Sequence, residues 1–98
     1  MFIVGGFNAY PAEIEAALLE HPDIAQVAVV GVPDERMGEV GVAFVVAKPG
    51  ARPDAGQILR WAWSRLAKFK LSRVELVDAL PVTPSGKVEK YKLRERHA

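Results

Sequence analysis

Ile24-Ala25-Gln26-Val27-Ala28-Val29-Val30-Gly31-Val32, then the turn Pro33-Asp34-Glu35-Arg36-Met37-Gly38, then the return Val40–Ala47: this stretch decides the fold. Its first run is nearly all apolar and rich in β-branched residues, which pack well on a pleated surface, so it is expected as a central strand. The turn reverses the chain, and the return is expected as a second strand ended by Lys48-Pro49-Gly50. Upstream, residues 2–4 read as a short apolar strand closed by Gly5-Gly6. Pro11 suits the first position of a helix, where its missing N–H costs nothing, and Glu13 and Glu15 fall in the positive first turn. Ile14, Ala17 and Leu18 supply the i, i+3, i+4 face, and His21-Pro22 is expected to end that helix.

Downstream, a second helix is expected from about Asp54 to Ala67, with Ile58, Trp61, Ala62 and Leu66 on one stripe. Trp61 falls on that stripe as packing, whereas Trp63 points elsewhere and is expected to meet a partner or a small groove. Val74–Val77 reads as a third strand, and Lys90–Arg96 as a short terminal helix. The chain is thus expected to be one domain spanning residues 1–98. It is an α+β fold, a small mainly antiparallel three-stranded sheet flanked by helices, with a short N-terminal strand and a C-terminal lysine loop.

Composition narrows the chemistry. Half of the 98 residues are apolar and 26% are charged, an ordinary globular balance. With no cysteine there is neither disulfide nor thiolate chemistry, and two histidines make a His-based metal site an unpromising expectation. No apolar run is long enough to span a membrane, Met1 is followed by no basic leader, and a cytoplasmic location is expected. The net charge of +1 conceals a division, with two basic residues against seven acids in residues 1–50 and eleven against five in residues 51–98. No nucleic-acid motif accompanies the basic half, so a phosphate-bearing small molecule fits it at least as well as nucleic acid.

The basic half contains Leu80-Pro81-Val82-Thr83-Pro84-Ser85-Gly86-Lys87-Val88-Glu89-Lys90. Pro81 and Pro84 stiffen the approach, each fixing φ and removing a donor, and Gly86 admits backbone conformations a Cβ would forbid. Lys87 is thereby presented at a loop tip as a point charge that a site elsewhere can receive. Read alone, Ser-Gly-Lys is an ordinary solvated turn.

Four further segments accompany it in order: Phe2–Glu15 with Gly5-Gly6 and Tyr10-Pro11-Ala12-Glu13-Ile14-Glu15; Gly31-Val32-Pro33-Asp34-Glu35-Arg36; Gly38-Glu39; and Leu66-Ala67-Lys68-Phe69-Lys70-Leu71. Over essentially its whole length the chain resembles the C-terminal domain of the acyl-adenylate-forming enzymes, most closely the acyl-CoA synthetases and fatty-acid-CoA ligases. The resemblance implies a mobile domain of an ATP-dependent ligase that converts a carboxylic acid, ATP and CoA to acyl-CoA, AMP and diphosphate, with Mg²⁺ on the phosphates. Lys87 matches the adenylation lysine, which meets the substrate carboxylate and the α-phosphate. Gly5 and Gly6 match the segment that lines the pantetheine tunnel after the domain rotates. Arg36, Phe69, Lys70 and Arg73 are the candidate CoA contacts. Phe7, Met37 and Leu71 depart from residues common in the family and put side-chain roles there in doubt.

The resemblance implies further that the partners are the chain's own N-terminal domain and CoA, or the pantetheine of a carrier protein. No nucleotide or CoA is expected to bind tightly to this domain by itself, because no Gly-x4-Gly-Lys-Ser/Thr loop is present and the adenylate pocket belongs to the N-terminal domain. The chain begins where the family's hinge has just ended, which reads as a fragment without activity of its own. Pro81 to Lys87 also resembles the segment that lysine acetyltransferases modify in bacterial relatives, a change that would remove the charge and that a deacetylase would restore. A domain that loads a carrier protein, and an α+β interaction module without enzymatic use, are the alternatives.

Overall fold

The computed structural model describes residues 2–66 and 71–97, with the side chains of Phe7, Arg96 and His97 outside that description. The elements run β1 (Phe2–Val4), β2 (Phe7–Ala9), α1 (Pro11–Leu18), β3 (Ile24–Asp34), β4 (Gly38–Ala47), α2 (Ala55–Trp63), β5 (Arg73–Leu76) and α3 (Lys90–His97). The α+β class, the mainly antiparallel sheet and the short N-terminal strand stand as expected, but that strand and β2 join the expected three in one five-stranded sheet. Its path is β2-β1-β4-β3, and β5 pairs in parallel with β4 from Val42↔Arg73 to Val45↔Leu76.

β3 and β4 form a long antiparallel ladder from Ile24↔Ala47 to Asp34↔Gly38, with one irregularity between Ile24 and Gln26. β4, not β3, is the central strand, since it pairs with β3 on one side and with both β1 and β5 on the other. The apolar run of β3 reports burial on both faces, which a strand at the edge of a covered sheet shares with one in the middle.

Alternation along the ladder divides the core in two. Val29, Ala43 and Val45 face α1 and α2, where they pack with Ile14, Leu18, Ile58 and Ala62. Ala28, Val30, Val32, Val42 and Phe44 face the opposite way and are covered by Leu80 and Leu93. Each of the larger of these side chains, the valines, leucines, isoleucines and Phe44, contributes about 1.5–3 kcal/mol through burial. α3 is otherwise strongly polar, so Leu93, 2% exposed, is its apolar anchor on the sheet.

Local chemistry sets the element ends. Pro11 opens α1, which stops at Leu18 ahead of His21. His21 Nδ1 accepts from the Asp23 amide at 3.1 Å, and its ring meets Trp61 edge-on at 4.9 Å. The Asp54 side chain caps α2 by accepting from the Gln57 amide at 3.0 Å. α2 ends at Trp63, short of the expected boundary, where the Ser64 hydroxyl bonds back to the Trp61 carbonyl at 2.6 Å; Ala67 lies outside the described residues. β2 is a strand the sequence did not announce, because three residues carry too little periodicity to separate it from a loop.

Gly31 is the point of closest approach between β3 and the N-terminal strand: a Cβ there would lie 2.7 Å from Phe2 Cβ and Cγ. Those atoms sit close to the Phe2 backbone and cannot swing away. Gly31→Ala is therefore expected to lower stability by about 1–3 kcal/mol through overpacking. Equilibrium urea unfolding of both chains checks this, and an unchanged midpoint would show that β1 yields freely.

Candidate functional site

The lysine loop is a tight hairpin. Val82 and Val88 form an antiparallel bridge, the Thr83 amide donates to the Lys87 carbonyl at 2.8 Å, and the Gly86 amide donates to the Thr83 carbonyl at 2.8 Å. Pro84 stands second in the four-residue turn 83–86 and Gly86 fourth, with φ of +89°. This is a turn closed by a left-handed residue, a conformation that favours glycine. The Lys87 amide donates to Thr83 Oγ1 at 3.1 Å, and Thr83 Oγ1 lies 2.9 Å from Ser85 Oγ. Lys87 therefore sits on the returning arm, one residue past the turn, rather than at the tip. Its side chain is exposed and has no ion pair among the described residues.

The arms of the hairpin are fixed more deeply than its turn. The Glu89 amide donates to the Pro81 carbonyl at 2.8 Å, while Leu80, Val88 and Leu93 pack on the Phe44 face of the sheet. Lys87 shares an open cleft of about 370 Å³ with Thr83, Val88, Glu89, Lys90 and Tyr91. Within it the Tyr91 hydroxyl donates to Glu89 Oε2 at 2.9 Å and Lys92 Nζ donates to Oε1 at 3.2 Å. These donors, Tyr91 first, hold the Glu89 carboxyl below its ordinary value, and the same contact raises the Tyr91 phenol and the Lys92 ammonium.

Gly5 and Gly6 lie elsewhere. They form the two-residue connection of the β1–β2 hairpin, between Val4 and Phe7, with φ of +55° and +88°. Two consecutive positive φ angles match the primed turn that right-twisted strands need. The Gly5 amide donates to the Met37 carbonyl at 2.8 Å, so this turn abuts the β3–β4 hairpin. The Asp34 carboxylate shapes that second hairpin, accepting from the Arg36 amide at 3.1 Å and the Met37 amide at 2.8 Å.

Arg36 is exposed at the tip beside the glycine turn. Arg73 begins β5 opposite Val42, and its Nε pairs with Glu75 at 3.3 Å. Phe69 and Lys70 lie outside the described residues. Arg36 and the glycine turn are thus brought together, and Lys87 is not with them. The hairpin's cleft neighbours on β3 are Ala25, Gln26 and Val27, whereas Gly5 adjoins the Asp34–Gly38 end. At about 3.3 Å per residue, Gln26 to Asp34 spans roughly 26 Å.

Two residues matter here that the sequence reading did not place. The Trp63 indole N–H donates to the Leu71 carbonyl at 2.8 Å, a bond across the connection after α2. Glu15, expected only to favour a helix start, accepts from the Val29 amide at 2.8 Å and pairs with Lys90 Nζ at 2.9 Å. Among the described residues no group of His, Cys, Asp and Glu is arranged to hold a metal ion. None of the described helices is long and apolar enough to cross a membrane.

This arrangement belongs to a recognised family. The AMP-binding enzyme C-terminal domain matches residues 13–87, and the chain is a member of that family. It is 56% identical over 96 residues to the 3-[(3aS,4S,7aS)-7a-methyl-1,5-dioxo-octahydro-1H-inden-4-yl]propanoyl:CoA ligase of Rhodococcus jostii (strain RHA1), covering 97% of this chain and 19% of that protein. It is 48% identical to the fatty acid–[acyl-carrier-protein] ligase ScoC of Streptomyces coeruleorubidus, covering 96% of this chain and 18% of that one. ATP-bound MatB from Rhodopseudomonas palustris superposes with a TM-score of 0.92 at 43% identity, over 99% of this chain and 20% of that structure. The chain therefore spans about a fifth of the length of such relatives.

The Glu89 contact gives a direct test of the electrostatics beside Lys87. A lowered carboxyl pKa means the contact is complete at and above the ordinary carboxylate range and is lost as pH falls through Glu89's own lower value. Tyr91→Phe is expected to move that titration back up, read by NMR of the Glu89 side-chain carboxyl. A midpoint identical in both chains would mean that the hydroxyl does not hold the charge.

Proposed function

We propose that this chain is the mobile C-terminal domain of an acyl-CoA ligase and that Lys87 is its adenylation lysine. In the first half-reaction a carboxylate oxygen of the acid attacks the α-phosphorus of ATP and expels diphosphate, leaving an acyl-adenylate. That attack brings two anions together and builds charge on the phosphoryl oxygens. A cation delivered there stabilises the transition state more than the ground state. Family membership and the exposed Lys87, without an ion pair among the described residues, on a braced hairpin support this reading; the single observation that carries it is the hairpin itself.

In the second half-reaction the thiolate of CoA attacks the acyl carbonyl and expels AMP. Gly5 and Gly6 line the path of the pantetheine arm in this reading, with Arg36 and Arg73, and Phe69 and Lys70 beyond the described residues, contacting the nucleotide end. Roughly 26 Å along the sheet separates the two ends, so one centre meets Lys87 and the glycine turn in succession, by rotation of the domain. In this reading Mg²⁺ belongs with the phosphates and the N-terminal domain. The similarity to an acyl-carrier-protein ligase keeps carrier pantetheine as a second acceptor. An acetyltransferase acting on the exposed Lys87 would switch off the first half-reaction alone.

The test uses the parent enzyme with its N-terminal domain. Lys87→Ala is expected to slow acid-dependent diphosphate release by about 10²- to 10³-fold. It should leave CoA-dependent consumption of a supplied acyl-adenylate nearly intact. Unchanged diphosphate release would remove Lys87 from the chemistry, and substituting holo carrier protein for CoA distinguishes the acceptors.

A further inference from the structure

We infer that Glu15 is a positioning residue for Lys87, acting through Lys90; the inference rests on the adenylation reading. The Glu15 side chain is 22% exposed, and one oxygen, Oε2, accepts from the Val29 amide at 2.8 Å and meets Lys90 Nζ at 2.9 Å. A single atom thus joins α1, the outer edge of β3 and the first residue of α3. Lys90 stands three residues beyond Lys87, immediately after Glu89, whose amide closes the base of the hairpin on Pro81.

The hairpin has two kinds of attachment to the sheet. Leu80, Val88 and Leu93 hold it through apolar contact, which resists separation but sets no particular direction. The Glu15–Lys90 contact is charge-assisted and directional, and it fixes the base of the returning arm that carries Lys87. Exposed ion pairs ordinarily contribute little, because two long side chains must be ordered to form them. Here the Val29 amide already orders the carboxylate, so Lys90 meets a fixed acceptor. The neighbouring Glu89 is engaged by Tyr91 and Lys92 and competes little for Lys90.

Only the half-reaction that uses Lys87 should register this restraint. Glu15→Gln keeps an oxygen for the Val29 amide and removes the charge that holds Lys90. In the parent enzyme we expect it to slow acid-dependent diphosphate release by about tenfold or more, as a small misplacement of a reacting group does. Consumption of supplied acyl-adenylate by CoA should stay within about twofold of wild type. Lys90→Gln should behave alike, the double variant should be no worse than either single, and Lys90→Arg should recover most of the rate. Thermal unfolding of each variant identifies any that fails to fold, and the Lys90→Arg and Lys90→Gln pair then decides the matter alone. Equal slowing of both half-reactions, or no slowing of either while Lys87→Ala slows diphosphate release as expected, overturns the inference and leaves the adenylation reading standing. Unchanged release in Lys87→Ala instead overturns that reading, and this inference falls with it.

Discussion

The β3–β4 ladder is the constraint on which the other elements depend. From Ile24↔Ala47 to Asp34↔Gly38 its residues alternate between two apolar clusters, one under α1 and α2 and the other under Leu80 and Leu93. A slip of one residue in either strand would exchange the two sets, placing Phe44 where Ala43 now meets the helices. The register is therefore specified from both sides at once. β1 and β5 share the opposite edge of β4, Val4 against Gly38 and Arg73 against Val42.

This division assigns different work to the two faces. The helical face carries the larger cluster and includes Trp61, held between the His21 ring and the Arg65 guanidinium, the latter 3.8 Å from the ring centre. The other face is closed by the arms of the Lys87 hairpin and by α3, whose one deeply buried side chain among those described is Leu93. The hairpin is consequently part of the core as well as a presenter of charge. Rigidity at its base and exposure at Lys87 follow from the same packing.

Much of the fold was legible because local and global signals agree. Pro11, Asp54 and the Ile14/Leu18 and Ile58/Ala62 spacings gave the helices, and the two apolar runs gave the ladder. The turn before Lys87 was legible because Pro81, Pro84 and Gly86 punctuate a hairpin by their own backbone chemistry, though they did not tell the tip from the returning arm on which Lys87 sits. What escaped depends on contacts between distant residues. The edge position of β3 is a matter of pairing partners, which an apolar run does not encode. The Trp63 bond to Leu71 crosses 8 positions, and the Glu15 carboxylate reaches 14 positions to Val29 and on to Lys90. Of the nucleotide-end candidates, Arg36 lies by the glycine turn while Arg73 is occupied by Glu75. A motif could place them in order along the chain but not in space.

The outer edge of β3 would otherwise present unpaired amides to any extended chain passing by, the usual starting point for edge-to-edge aggregation. At Val29 that opening is filled by a carboxylate instead of a strand. An incoming chain would have to displace a charged acceptor and expose it beside its own carbonyl oxygens, which repel it. The ladder is thus guarded against growth at its middle without a further strand on the edge, by the same side chain that meets Lys90.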